Sequence, residues 1–191
     1  MMREKKQDVS TLTAAALMAA VLCVLGPLSV PIGPVPIAMA NFAVSLAAWL
    51  LGPRWGVLSV AAYLLLGAAG MPVFAGYAAG AAVLFGPTGG YLIGYLAQVL
   101  IGGWAVERSE GRPFWSGLGL AAGVAVSYAF GTAWFIVQMG CTLSYALAVC
   151  VAPFIPFDAA KAALASGLGS VLRRTLLRAG LLRRPGLLRR H

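Results

Sequence analysis

Hydrophobic residues run almost uninterrupted along this chain. From Val9 to Val106 the only charged residue is Arg54, and from Pro113 to Leu172 the only charged residues are Asp158 and Lys161. Pro and Gly punctuate the run at Gly26–Pro36, Gly52–Gly56, Gly70–Gly90, Glu107–Pro113 and about Gln138–Thr142. The pattern predicts six apolar stretches, at about residues 11–30, 36–51, 57–69, 89–106, 114–137 and 143–172. The last is long and is interrupted by Pro153 and Pro156. A helix needs about 20 apolar residues to cross a bilayer, so six spans use about 120 residues and leave roughly 70 for loops and tails. No room remains for a second folded domain. The expected fold is an all-α integral membrane protein of six transmembrane helices.

The cations give the expected orientation. Arg3, Lys5 and Lys6 lie in the N-terminal tail, Arg54 in the second break, Arg108 and Arg112 in the fourth, and seven arginines between Arg173 and Arg190. The first, third and fifth breaks have none. With six spans, every cation except Lys161 falls on one side, and the positive-inside rule puts both termini in the cytoplasm. The expected organisation is a tail at 1–10, a six-helix membrane domain at 11–172 and a basic cytoplasmic tail at 173–191. Residues 1–10 carry both signs and the apolar stretch after them is long, so the start does not read as a cleavable signal peptide.

Composition narrows the class. Hydrophobic residues make up 61% of the 191, and charged residues only 10%, against about 25% in a soluble domain. That excludes a soluble globular domain, a disordered chain and a secreted disulfide scaffold. The formal net charge of +9 would point to nucleic acid in a soluble protein. Here it reports orientation and an anionic lipid surface, with the Leu- and Arg-rich C-terminal tail lying on the headgroups. Cys23, Cys141 and Cys150 stand in apolar surroundings, and His191 is the only histidine. They read as inert small residues, so neither a bound metal nor a thiol enzyme is expected.

Asp158 and Lys161 need explaining. An ionisable residue within a span costs at least about 2.5–3.5 kcal/mol on insertion scales. In PFIPFDAAKAALA the aspartate opens a helical stretch, where a carboxylate suits the helix dipole, and the lysine follows at i+3 on the same face. The pair is either a self-neutralising helix cap or a ligand site offering both a donor and an acceptor. The glycine-rich segment Gly76–Tyr91 falls in an uncharged break. It reads as an ordinary re-entrant loop or as a lid, with Tyr77, Phe85, Thr88 and Tyr91 as candidate contacts, since irregular backbone at membrane depth lines a cavity or is buried. Its GPTGG lacks a following GK[ST], so it is no phosphate loop. Asn41 and Gln98 are uncharged polar residues within spans. Ala15/Ala19 and Ala16/Ala20 are small-xxx-small pairs that let another helix approach closely.

At these motifs the chain closely resembles the BioY family, the biotin-specific substrate-binding (S) components of energy-coupling-factor (ECF) vitamin transporters. The residues that carry the resemblance are TLTAAALMAAVLCVLGPLSVPIGPVPI, LLGPRWGVLSVAAYLLLGAAGMPVFAG, LFGPTGGYLIGYL and FIPFDAAKAALA, between about Thr11 and Leu172. The resemblance implies a six-helix subunit in a prokaryotic plasma membrane, with biotin bound near the extracellular side. It implies a transmembrane coupling (T) subunit and two cytoplasmic ATPases as partners. It assigns the Ala-xxx-Ala face of the first helix to the T subunit, and Asp158 and Lys161 to biotin. One position departs. The family commonly has Ser-Leu-Gln after PVPI, whereas Ala38-Met39-Ala40 precedes Asn41 here. Either Asn41 substitutes for the glutamine or that contact is lost. The Gly76–Gly80 loop is also richer in alanine than usual.

The residues agree with that ligand. Asp158 can accept from a ureido N–H, and Lys161 can donate to its carbonyl or pair with the carboxylate tail. No Walker motif occurs, so another chain must hydrolyse ATP. A membrane enzyme would need more acid/base groups than one Asp–Lys pair, and no cofactor is expected. The remaining readings are an S component for another small vitamin and a structural membrane partner without a ligand.

Overall fold

The computed structural model describes residues 2–31 and 35–179, with side chains from Val9 onward. Seven helices follow one another: α1 (Met2–Leu25), α2 (Ala40–Ala68), α3 (Ala81–Phe85), α4 (Gly89–Arg108), α5 (Pro113–Met139), α6 (Leu143–Cys150) and α7 (Phe154–Arg178). Among the described residues α2, α4 and α5 are long and apolar enough to cross a membrane, and α6 with α7 forms a fourth such element bent by 46°. The six-stretch reading differs from this at three places.

First, the stretches 36–51 and 57–69 belong to one element, α2, which reverses inside itself. Gly52 has φ 71° and ψ −170°, a region open essentially to glycine alone. Pro53 then starts the second arm, where its fixed φ suits a first helical position. A straight helix would put Asn41 and Tyr63 about 33 Å apart at ~1.5 Å per residue, yet both line one cavity. A Cβ on Gly56 would lie 3.4 Å from the Ala47 carbonyl oxygen. The two arms therefore lie side by side as a helical hairpin, and the turn takes a single residue.

Second, the fold is not purely helical. The first break contains a two-stranded antiparallel ribbon of β1 (Ser29–Val30) and β2 (Ile37–Ala38), with Ser29 opposite Ala38 and Val30 opposite Ile37. Third, only one of the two prolines interrupts the last stretch. The break falls at residues 151–153, whereas Pro156 sits in the first turn of α7, where its missing N–H has no helical acceptor to lose.

The centre is α4, which packs against both α2 and α5. Small residues bring α4 and α5 together, as membrane helices require. A Cβ on Gly123 would lie 2.7 Å from the Gln98 carbonyl oxygen, and one on Gly94 would lie 2.8 Å from Ser127 Oγ. In α1, Ala15 and Ala19 are buried, and Ser59 Oγ donates to the Ala15 carbonyl at 2.8 Å. Ala16 and Ala20 are exposed. The Ala15/Ala19 register is thus occupied by the chain's own hairpin, leaving Ala16/Ala20 as the outward small face.

Helix α7 buries Phe154, Asp158, Ala165, Gly169 and Arg173 along one side. Its last buried residue was read from sequence as the start of the basic tail, but α7 continues unbroken through position 172 to Arg178. Arg173 Nη1 donates to the Trp49 carbonyl at 2.9 Å. That carbonyl is among the last of the first arm of α2, which lack helical donors. The arginines at 183, 184, 189 and 190 lie outside the described residues, as do the side chains of Arg3, Lys5 and Lys6.

The hairpin makes a direct prediction. A Cβ at position 52 would be strained by the positive φ and would overlap Glu107 Oε1. Gly52→Ala should lower stability by about 1–3 kcal/mol, measured by thermal unfolding in detergent. Adding Glu107→Ala should recover part of that loss, because only the overlap is relieved.

Candidate functional site

The cavity lies at the end of the bundle where α4 begins. It measures about 270 Å³, just below the usual small-molecule range of roughly 300–1,000 Å³. Its walls come from far-apart stretches: Asn41 and Tyr63 of the two arms of α2, Phe74 and Ala78 of the following loop, Thr88 and Tyr91 at the start of α4, Tyr128 of α5, and Asp158 and Lys161 of α7. Tyr63 and Phe74 meet edge to face, with ring centroids 5.7 Å apart.

One polar cluster interrupts this largely apolar lining. Asp158 is buried in the first turns of α7. Lys161 Nζ lies 3.1 Å from its Oδ1, and Asn41 Nδ2 donates to its Oδ2 at 2.7 Å. The Tyr128 hydroxyl also donates to Oδ2. Lys161 Nζ donates as well to the Ala38 carbonyl of β2 at 2.8 Å. The ribbon thus supplies a backbone acceptor that holds the lysine head. A buried carboxylate would be prohibitively costly alone, and here three donors compensate it.

Behind this cluster runs a relay. Gln98 Nε2 donates to Asn41 Oδ1 at 2.6 Å and lies 3.2 Å from Ser45 Oγ, which in turn donates to the Asn41 carbonyl at 3.0 Å. With its oxygen engaged by Gln98, the Asn41 amide has its nitrogen directed at Asp158. Among the described residues two buried side-chain polar atoms lack hydrogen-bond partners, Gln98 Oε1 and the Tyr63 hydroxyl. The second belongs to a residue of the cavity wall.

The glycine-rich segment forms a wall held from outside by α5. Trp134 Nε1 donates to the Gly86 carbonyl at 3.0 Å, Gln138 Nε2 to the Phe85 carbonyl at 2.7 Å, and the Tyr91 and Thr132 hydroxyls pair at 3.0 Å. Of the residues singled out from sequence, Asp158, Lys161, Asn41, Thr88 and Tyr91 line the cavity. Tyr77 and Phe85 do not: they are 65% and 71% exposed, and Ala75 and Ala78 face the cavity from the same loop as Tyr77. Gly76 and Tyr77 both have positive φ, and the loop turns the tyrosine outward there. Tyr63, Tyr95 and Tyr128 also line the cavity and were not singled out. Their signal was a phenol within an apolar span, which needs a partner or a cavity for its hydroxyl. Among the described residues no three His, Cys, Asp or Glu side chains come together to hold a metal.

A mainly apolar cavity with aromatic walls and one buried ion pair defines a membrane-embedded binder of a small molecule with both polar and apolar parts. Comparison with known proteins narrows this. The model of the BioY family matches residues 2–178. The biotin transporter BioY of Thermotoga maritima is 38% identical over 81% of this chain and 90% of its own length. The probable biotin transporter BioY of Pyrococcus horikoshii is 40% identical over 84% and 93%. The crystal structure of the S-component for biotin from an ECF-type ABC transporter superposes with a TM-score of 0.83 at 35% identity, covering 88% of this chain and 93% of that one. The chain belongs to the BioY family.

The relay can be tested without a ligand. Gln98→Leu removes the donor to Asn41 and should lower stability by about 1–3 kcal/mol. A double-mutant cycle with Asn41→Ala, followed by thermal unfolding, should give a coupling of at least about 0.5 kcal/mol.

Proposed function

We propose that this chain is the biotin-binding S component of an ECF-type transporter in a prokaryotic plasma membrane. One observation carries the ligand reading: the buried Asp158–Lys161 pair stands in a cavity lined mainly by aromatic and aliphatic side chains. A carboxylate has about four acceptor positions and an ammonium has three donors. Asp158 receives Lys161, Asn41 and Tyr128, and Lys161 donates to Asp158 and Ala38. About one acceptor and one donor remain side by side. A ureido ring presents an N–H next to a carbonyl, which matches that edge. The aromatic walls suit the rest of the bicycle.

The transport role follows from the family and from what the chain lacks. It has no ATPase motif, so energy comes from a T subunit and two cytoplasmic ATPases. Ala16 and Ala20, exposed on α1, form the docking face for the T subunit. With the α2 hairpin counted as two passes, α1, the two arms, α4, α5 and the bent α6–α7 pair make six crossings. Both termini then lie in the cytoplasm, and the cavity opens outside.

Calorimetry on detergent-purified protein tests the ligand. The parent should bind biotin, and a parent that prefers another vitamin overturns the reading. Lys161→Ala breaks a desolvated charged contact worth about 2–5 kcal/mol, so affinity should fall at least thirty-fold at about 1.4 kcal/mol per factor of ten. Biotin amidated at its carboxylate should bind the parent with little loss, because Lys161 meets the ring and not the tail. In a protein stripped of Cys23, Cys141 and Cys150, a cysteine at position 79 should label only from outside and one at position 110 only from the cytoplasm. Ala16→Trp with Ala20→Trp should block assembly with the T subunit and leave biotin binding intact.

A further inference from the structure

A second cleft lies at the other end of α4, where it turns into α5. Its volume is about 400 Å³, and it is lined by Trp104, Arg108, Ser109, Glu110, Arg112 and Trp115. Along α4 the nine residues from Tyr95 of the cavity to Trp104 of the cleft separate the two by about 14 Å. We propose that this cleft binds the headgroup of an anionic phospholipid that carries one phosphodiester charge and free hydroxyls, a phosphatidylglycerol.

The argument begins with open donors. Among the described residues neither the Arg108 nor the Arg112 side chain has a hydrogen-bond partner. The Arg108 guanidinium lies over the Trp104 ring at 5.4 Å from its centroid, a cation–π contact that uses none of its N–H donors. Guanidinium edges match phosphate oxygens in a fork geometry. Trp104, Trp115 and Phe114 are more than half exposed at the ends of two apolar helices. Tryptophans in that position mark the interface between acyl chains and headgroups. A basic pocket between membrane helices on the cytoplasmic side is a headgroup site, and the proposed topology puts this loop on that side.

Glu110 selects among headgroups. Two guanidiniums and one carboxylate leave a net single positive charge in the cleft, which one phosphodiester neutralises. The carboxylate then accepts from headgroup hydroxyls. A more highly charged phosphate would face it with uncompensated repulsion.

Native mass spectrometry of the full chain tests this, with phosphatidylglycerol and phosphatidylcholine of identical acyl chains as probes. The parent should retain one phosphatidylglycerol in preference to phosphatidylcholine. The R108Q/R112Q variant should weaken that binding roughly thirty-fold, at about 1 kcal/mol per basic residue near the surface, with an unchanged unfolding temperature. Should it fold poorly, R112Q alone keeps the Arg108–Trp104 stack and should lose about five-fold. R174Q/R178Q, which removes two exposed cations elsewhere, should leave the retained lipid in place. Equal losses in the two double variants would reduce the effect to general surface charge and overturn the site. So would equal retention of the two lipids by the parent, or a preference for a zwitterionic one. Displacement of the lipid by inorganic phosphate as readily as by short-chain phosphatidylglycerol would make it a phosphate site and overturn the lipid assignment.

Discussion

The bundle is organised around one buried carboxylate. Asp158 draws Asn41 from α2, Tyr128 from α5 and Lys161 from its own helix, and through Lys161 it reaches the Ala38 carbonyl of the ribbon. Taking such a charge out of water is costly, and removing one partner would leave the remainder uncompensated. The elements that provide these donors are therefore held in one arrangement. Dispersion between apolar helices in lipid has no comparable directionality, since lipid tails are as apolar as leucine. The carboxylate fixes the relative positions that apolar packing leaves free.

A second polar contact fixes the opposite end of α7. Arg173 reaches the carbonyl of Trp49, and the Trp49 indole reaches Ser166 Oγ at 3.4 Å. Between the two anchors the buried face of α7 is narrow, with Ala165 and Gly169 letting it lie close to α2. The helix is thus pinned at both ends and slender in the middle. The α2 hairpin supplies the partner at each end, Asn41 near the start of its first arm and Trp49 near the finish.

Much of this was legible in the sequence, and the failures have physical causes. Asp158, Lys161 and Asn41 stood out because polar groups in an apolar span demand partners, and the structure gathers all three. Glycine-rich breaks marked the loops because their composition permits turns. The α2 reversal was read as a break of several residues, because Pro53, Arg54 and Gly56 look like loop residues, whereas Gly52 alone makes the turn. The ribbon escaped notice because two-residue strands leave no periodic signal. Tyr77 and Phe85 were placed at the cavity by residue type, but which way a loop side chain points depends on backbone angles that composition does not reveal. The register of α1 needed the neighbouring arm to be in place before Ala15 could be told from Ala16.

The contact between Lys161 and the ribbon has a bearing on how such a chain can diverge. Its acceptor is a main-chain oxygen, which every residue type carries. Substitution at position 38 can therefore drift among side chains that keep the strand pairing, and the lysine retains its anchor throughout. An insertion or deletion of one residue within β2, or between it and the start of α2, would instead move a different carbonyl, pointing the other way, in front of the ammonium. In this segment, length is under tighter constraint than residue identity.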